Sequence, residues 1–263
     1  MNALGAAIVL RERTPLDVLD LSILFCRERG QRQYSRLSLL LLLPSWLGLV
    51  ALRHFAELAW GWVWLAAWAG HALLELPFLV LAGRLLFDSE VDTKSVGAAA
   101  VGRLPAYFGT QLLIFSLLLA SVITVVGPWF VATVYCFVPE VLILEGQSGL
   151  SALRRAHQFL ARRTVAGVAT VLLRGMLMVT LVGLGELLGQ AGLSVLLDVH
   201  LDVEQLMEDG GSPFALAGLL LSVPLTATFR FLSYVSERTV QDGWDVQVAL
   251  IALANGERAQ RVA

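Results

Sequence analysis

The residues of this sequence that can do chemistry are ionisable side chains set inside long apolar runs. His71 and Glu75 stand four residues apart, so on a helix they share a face. With Pro77 nearby they can line a polar cavity, pass a proton or supply half of a metal site. They can equally form a buried hydrogen-bonded pair that orients helices. Two ligand-type residues are too few to define a metal site, so no metal is assigned. Glu140 follows Pro139 in a second run, and Glu145 lies close to that run's end, where an interfacial position is expected. Arg174 interrupts a third run, with Glu186 about three turns further on. A deep arginine needs a carboxylate, a water-filled cavity or a path along which it can snorkel, and Glu140 or Glu75 is the expected partner. Arg230, near the end of the last run, is expected to be an interface anchor. Met176 and Met178 can be read as soft copper ligands or as packing residues, and packing is the commoner use. Cys26 and Cys136 lie in unlike surroundings and read as ordinary small residues rather than a disulfide. Walker, His-Glu-x-x-His, Gly-x-Ser-x-Gly and dinucleotide fingerprints are absent, so no catalytic residue and no cofactor is assigned.

The elements that must position these side chains follow from composition. Of 263 residues, 57% are hydrophobic and only 15% charged, with a mean hydropathy of +0.74. Soluble domains carry about 25% charged residues. The apolar runs approach or exceed the roughly 20 residues that cross hydrocarbon. Hydrocarbon offers backbone groups no partner, so a span is a helix or a strand of a closed barrel. Blocks such as LLLLLPSWLGLVAL lack barrel alternation. The fold class is therefore an all-α polytopic transmembrane helical bundle of six spans, with amphipathic cytoplasmic helices. A net charge of −2 argues against a generally basic nucleic-acid binder.

The expected spans are 37–52, 59–87, 106–126, a fourth from the Gly127-Pro128 turn to about 144, a fifth from 165, and a sixth from Ser212-Pro213 to about 234. The fifth ends between 188 and 197, too long for one upright span, so a tilted helix and a separate outer segment are expected. Residues 1–36 form an N-terminal cytoplasmic or interfacial region whose helix starts at Thr14-Pro15-Leu16-Asp17, with Thr14 as cap. Residues 3–10 are apolar but short, and no cleaved signal peptide is expected. Residues 37–234 make the membrane domain, and 235–263 a cytoplasmic tail. Within the domain, 148–163 reads as a basic amphipathic helix. Leu150, Leu153, His157 and Leu160 share one face, and Arg154, Arg155, Gln158, Arg162 and Arg163 form the rest. It is expected to lie on the membrane surface, the alternative being a solvated linker helix. Gly185-x-x-x-Gly189 is a candidate close-approach face.

Charge distribution orients this arrangement. With the N-terminus inside, the inner regions hold Arg11, Arg13, Arg27, Arg29, Arg32 and Arg36, then Lys94 and Arg103. Arg154, Arg155, Arg162 and Arg163 follow, then Arg238, Arg258 and Arg261. Of lysine and arginine the outer loops hold only Arg53, and the acidic run Asp198, Asp202, Glu204, Glu208 and Asp209 falls outside. This bias puts both termini in the cytoplasm; a bacterial cytoplasmic (inner) membrane is the expected location.

Three stretches carry a resemblance. They are Thr14-Pro15-Leu16-Asp17-Val18-Leu19-Asp20; Val138-Pro139-Glu140-Val141-Leu142-Ile143-Leu144-Glu145-Gly146 with Ser151-Ala152-Leu153-Arg154-Arg155-Ala156; and Phe229-Arg230-Phe231-Leu232-Ser233-Tyr234 with Asp242-Gly243-Trp244-Asp245. In these the chain resembles the bacterial glycerophosphoryl diester phosphodiesterase membrane domain-like family, over nearly its whole length. In name-giving members of that family a soluble phosphodiesterase barrel accompanies the membrane region. The present sequence has no room for one beside six spans, so that activity is not expected here. The expected role is a structural or accessory subunit of a membrane assembly, the alternative a transporter or channel for a small solute or lipid. Membrane lipids, and other membrane proteins or further copies of the chain, are the expected partners. Nucleic acid is not expected.

Overall fold

The computed structural model describes residues 11–88, 91–147, 149–161, 163–197 and 210–243. The acidic stretch 198–209, Arg162 and the tail beyond Gly243 lie outside them. The fold is an all-α bundle, and six of its helical segments are long and apolar enough to cross a membrane.

Helix α1 (Pro15–Leu24) starts as its sequence dictates. The Thr14 hydroxyl accepts from the Asp17 amide, the Asp17 carboxylate accepts from the Thr14 amide, and Pro15 fills the first turn. These bonds, the Thr14 side-chain one foremost, hold the Asp17 carboxyl below the usual carboxylate range. A π-helical turn (Phe25–Arg29) ends at Gly30, where a Cβ would collide with Tyr34 and Leu85. Val18, Ser22 and Phe25 are buried, so α1 packs beneath the bundle.

Helix α2 (Gln31–Phe55) and α3 (Trp60–Leu85) form the first pair of spans. Helix α4 (Thr93–Ser121) starts well before the expected 106, because the Asp92 side chain caps it by accepting from the Lys94 amide. The polar stretch expected between spans two and three is thus partly the first turns of α4. The fourth span is two pieces, α5 (Gly127–Val134) and α6 (Val138–Glu145). Pro139 has no N–H to continue α5, and it sits in the first turn of a new helix instead. Helix α7 (Leu150–Ala161) follows.

Helix α8 (Thr164–Leu197) is one unbroken helix of 34 residues, not a span plus a separate segment. No proline interrupts it. At 1.5 Å per residue it is about 51 Å long, well beyond the roughly 30 Å of hydrocarbon. Helix α9 (Pro213–Asp242) likewise runs eight residues past the expected end near Tyr234, stopping only at the left-handed Gly243. Its Val235, Ser236, Glu237 and Thr239 are buried, so the first part of the expected tail is packed helix.

Helix α9 is the spine, packed on α8, α3, α1 and α2. The α8–α9 seam is closed by small residues. A Cβ on Gly185 would lie 2.7 Å from the Gly218 Cα, and one on Gly189 would run into the Phe214 ring. The expected close-approach face is therefore real, and its other half is Gly218.

The surface helix departs from expectation. In α7, Ala152, Leu153, Ala156, Phe159 and Leu160 are buried, and they form a second core with Phe137, Val138, Val141 and Tyr234. Leu150 and His157 are exposed. The apolar stripe thus meets protein rather than lipid, because α5, α6 and α9 offer it a complementary aromatic surface.

Candidate functional site

The network is built from four helices. Glu75 lies near the middle of α3, one turn after His71. Glu140 lies in the first turn of α6, where the α5–α6 break presents it at the positive end of that helix. Arg174 comes from α8 and Arg230 from α9. His71, Glu75, Glu140 and Arg230 are each at most 3% exposed.

Glu75 is the hub. Arg174 Nη2 donates to its Oε1 at 2.5 Å, and Arg230 Nη1 lies 2.8 Å from its Oε2. The Arg230 Nε donates to Glu140 Oε1 at 2.6 Å. His71 Nδ1 is 3.5 Å from Glu75 Oε1, and its Nε2 is 3.1 Å from Ser222 Oγ. Tyr107 of α4 donates to the Ala72 carbonyl at 2.7 Å and receives a hydrogen bond from Gln111 at 2.9 Å. Two arginines thus face two glutamates, with the histidine held between Glu75 and a serine. Low-dielectric surroundings make each pairing strong and each loss expensive.

The expected Arg174–Glu75 pair is present. Glu140 takes a different partner, Arg230, which was expected to be an interface anchor and is instead the buried bridge between both carboxylates. The anchor reading assumed a helix ending near Tyr234. With α9 extended to Asp242, Arg230 lies about 26 Å along the helix from Pro213 and points inward. A usable signal was present: Ser222, Thr226 and Arg230 recur every four residues, and all three are buried.

Glu186 is not part of this network. It accepts from the Ser212 hydroxyl and, at 3.1 Å, from the Ala215 amide. It also receives Gln190 at 2.6 Å. It joins α8 to the N-terminus of α9 and acts there as an anion at the helix's positive end. Arg155 pairs with Glu145 at 3.1 Å and with Asp242 at 2.6 Å. Burial opposes the Arg155 charge, but these carboxylates outweigh it and raise its pKa above the usual value. Arg163 joins Glu12 at 2.5 Å to Glu237 at 3.5 Å. Arg154 is exposed. Cys26 and Cys136 are free thiols, and no cluster of three or more His, Cys, Asp or Glu suited to a metal occurs among the described residues.

Beside the network lies a cavity of about 310 Å³, bordered by α3, α4, α5, α6, α8 and α9. Glu75, Arg174, Arg230 and Gln111 form its polar end. The arrangement can hold helices together, bind an ion or headgroup, or carry a proton through His71 and Glu75. No known family model, characterised protein or solved structure matches the chain.

Proposed function

We propose that the chain is a structural or accessory subunit of a bacterial membrane protein assembly, resident in the cytoplasmic membrane with both termini inside. The observation that carries this reading is the mutual pairing of the deepest charges. Arg174 and Arg230 are engaged by Glu75 and Glu140 across four helices, an arrangement suited to a fixed bundle. Supporting it, α7 is docked by its apolar side and leaves Arg154, His157 and Gln158 exposed at the arginine-rich end, where a partner can reach them. Kinship with the membrane region of the phosphodiesterase membrane domain-like family is part of this proposal, on the motifs quoted above. The test is purification from native membranes in a mild detergent, with the stoichiometry of co-purifying chains measured. A defined ratio to a partner, or a fixed number of copies of this chain, is expected. A lone monomer that drives solute or lipid flux in proteoliposomes overturns the reading.

A second reading, a transporter or channel for a small solute or lipid, draws on the cavity that touches Glu75, Arg174 and Arg230. Under that reading Glu75→Gln abolishes flux while the folded fraction stays unchanged. Under the subunit reading it lowers the folded fraction.

A further inference from the structure

We infer that the cavity beside the ion-pair network is a binding site for an anionic amphiphile, an oxyanion carried on an acyl chain. The site stands whether or not the chain serves an assembly.

The chemistry at the polar end selects an acceptor. Arg230 lines the cavity and is buried, and its Nη2 has no hydrogen-bond partner. Arg174 lines it too, and its Nε is likewise buried and unpartnered. Gln111 stands beside them. The one acid in the lining, Glu75, is hydrogen-bonded at Oε1 by Arg174; its Oε2 lies 2.8 Å from Arg230 Nη1 as an ion pair and makes no hydrogen bond. The spare capacity at this end is mostly N–H: two unpartnered guanidinium nitrogens stand against one carboxylate oxygen, and a guanidinium can only donate. A carboxylate or phosphate oxygen satisfies it, whereas a cation or a hydrocarbon end does not.

The walls select the other end of the ligand. Trp68, Ile114, Leu118, Val131, Val171 and Met178 present an apolar surface. Trp68 is more than half exposed, and the Arg174 side chain is 26% exposed. The cavity thus reaches the outer face of the bundle between membrane-crossing helices, where the neighbouring medium is acyl chain rather than water. At about 310 Å³ it falls at the small end of the roughly 300–1,000 Å³ of ligand pockets. That suits a headgroup and the upper part of one chain.

The test uses the full-length protein in nanodiscs of phosphatidylcholine. Four probes are compared by native mass spectrometry and by thermal shift: oleate, oleyl phosphate, oleyl alcohol and inorganic phosphate. Oleate or oleyl phosphate is expected to bind at least tenfold more tightly than oleyl alcohol, and inorganic phosphate at least tenfold more weakly than oleyl phosphate. The better of the two anionic probes identifies the oxyanion. Gly175→Leu fills the cavity from α8, where a Cβ meets nothing within 4 Å, and so leaves the ion pairs intact. It is expected to reduce anionic-probe affinity at least tenfold while keeping the parental melting temperature. Ala132→Leu fills the same cavity from α5 and replaces it if that variant fails to fold. Equal binding of the alcohol, competition by inorganic phosphate as strong as that of oleyl phosphate, or undiminished binding by the folded cavity-filling variant each overturns the site.

Discussion

Arg230 meets carboxylates from two different helices, while Arg174 meets one of the same carboxylates from the other side. Their removal should therefore cost different amounts. Arg230→Ala strands the buried Glu140 and half of the buried Glu75, a loss of about 3–5 kcal/mol for a broken buried pair. Arg174→Ala leaves Glu75 with Arg230, and the Arg174 side chain is already 26% exposed, so about 1–3 kcal/mol is expected. Denaturant titration of the protein in mixed micelles orders the two. Glu140→Gln introduced into Arg230→Ala should restore part of the loss, because it removes the stranded charge. Arg174→Ala proving the costlier change, or no rescue by Glu140→Gln, would refute this account of the network. The carboxylates and Arg174 were legible in the sequence because each interrupts a long apolar run, and burial of a charge implies a partner. Arg230 was not, because its role depends on where its helix ends, and a boundary is set by packing more than by local residue type. Its partner could not be read either: nothing in the sequence says that the α5–α6 break turns Glu140 toward α9.

Helices longer than expected are the main difference at the scale of elements, and all have the same cause. Hydropathy marks the part of a helix that sits in hydrocarbon, but α4 reaches back to its Asp92 cap and α9 runs on to Gly243. Helix α7 shows the complementary limit. Its amphipathic stripe was legible, but periodicity reports only that one face is apolar, not whether lipid or protein covers it. Two measurements test the assignment to protein. Phe159 packs edge-on to Tyr234 with ring centroids 5.4 Å apart and lies under the Arg155 guanidinium, so Phe159→Ala should destabilise by about 3–5 kcal/mol. Leu150→Ala, at an exposed position, should leave stability unchanged; the reverse order would return α7 to the membrane surface. The glycine seam gives a second test. Gly218→Val forces α8 and α9 apart against the Leu181 and Val182 backbone, at about 1–3 kcal/mol for overpacking. Gly183→Ala, in open space, should be neutral in the same thermal-stability assay.

The whole molecule has two chemically different ends, and α9 spans the distance between them. At its start, Trp46 donates to the Pro213 carbonyl at 2.7 Å and Trp64 to the Gly210 carbonyl at 3.0 Å. Trp60, with Arg53 at 5.7 Å over its ring, lies alongside. Indoles that keep an N–H bonded while burying a ring suit the lipid–water boundary. About 45 Å away, at the other end of a 30-residue helix, Arg155 and Arg163 bind Asp242 and Glu237, and the N-terminal segment is tied in through Arg13 to Ser236. Lys94 and the arginines of 27–36 belong to this second end, since Arg84 holds Ser95 at 2.5 Å and Gly30 abuts Leu85. Lysine and arginine in short loops are retained on the cytoplasmic side, so the orientation proposed above makes a direct prediction. In a background with Cys26→Ala and Cys136→Ala, a cysteine replacing the exposed Ala56 should react with a membrane-impermeant maleimide added to intact cells. A cysteine replacing the exposed Lys94 should react only after permeabilisation. Because these positions lie at opposite ends of α3 and its neighbours, labelling of both, or of position 94 alone, from outside would reject the orientation. Labelling of position 56 alone from outside would tie the tryptophan-rich end to the exterior and the arginine-rich end, with the exposed face of α7, to the compartment where a cytoplasmic partner can dock.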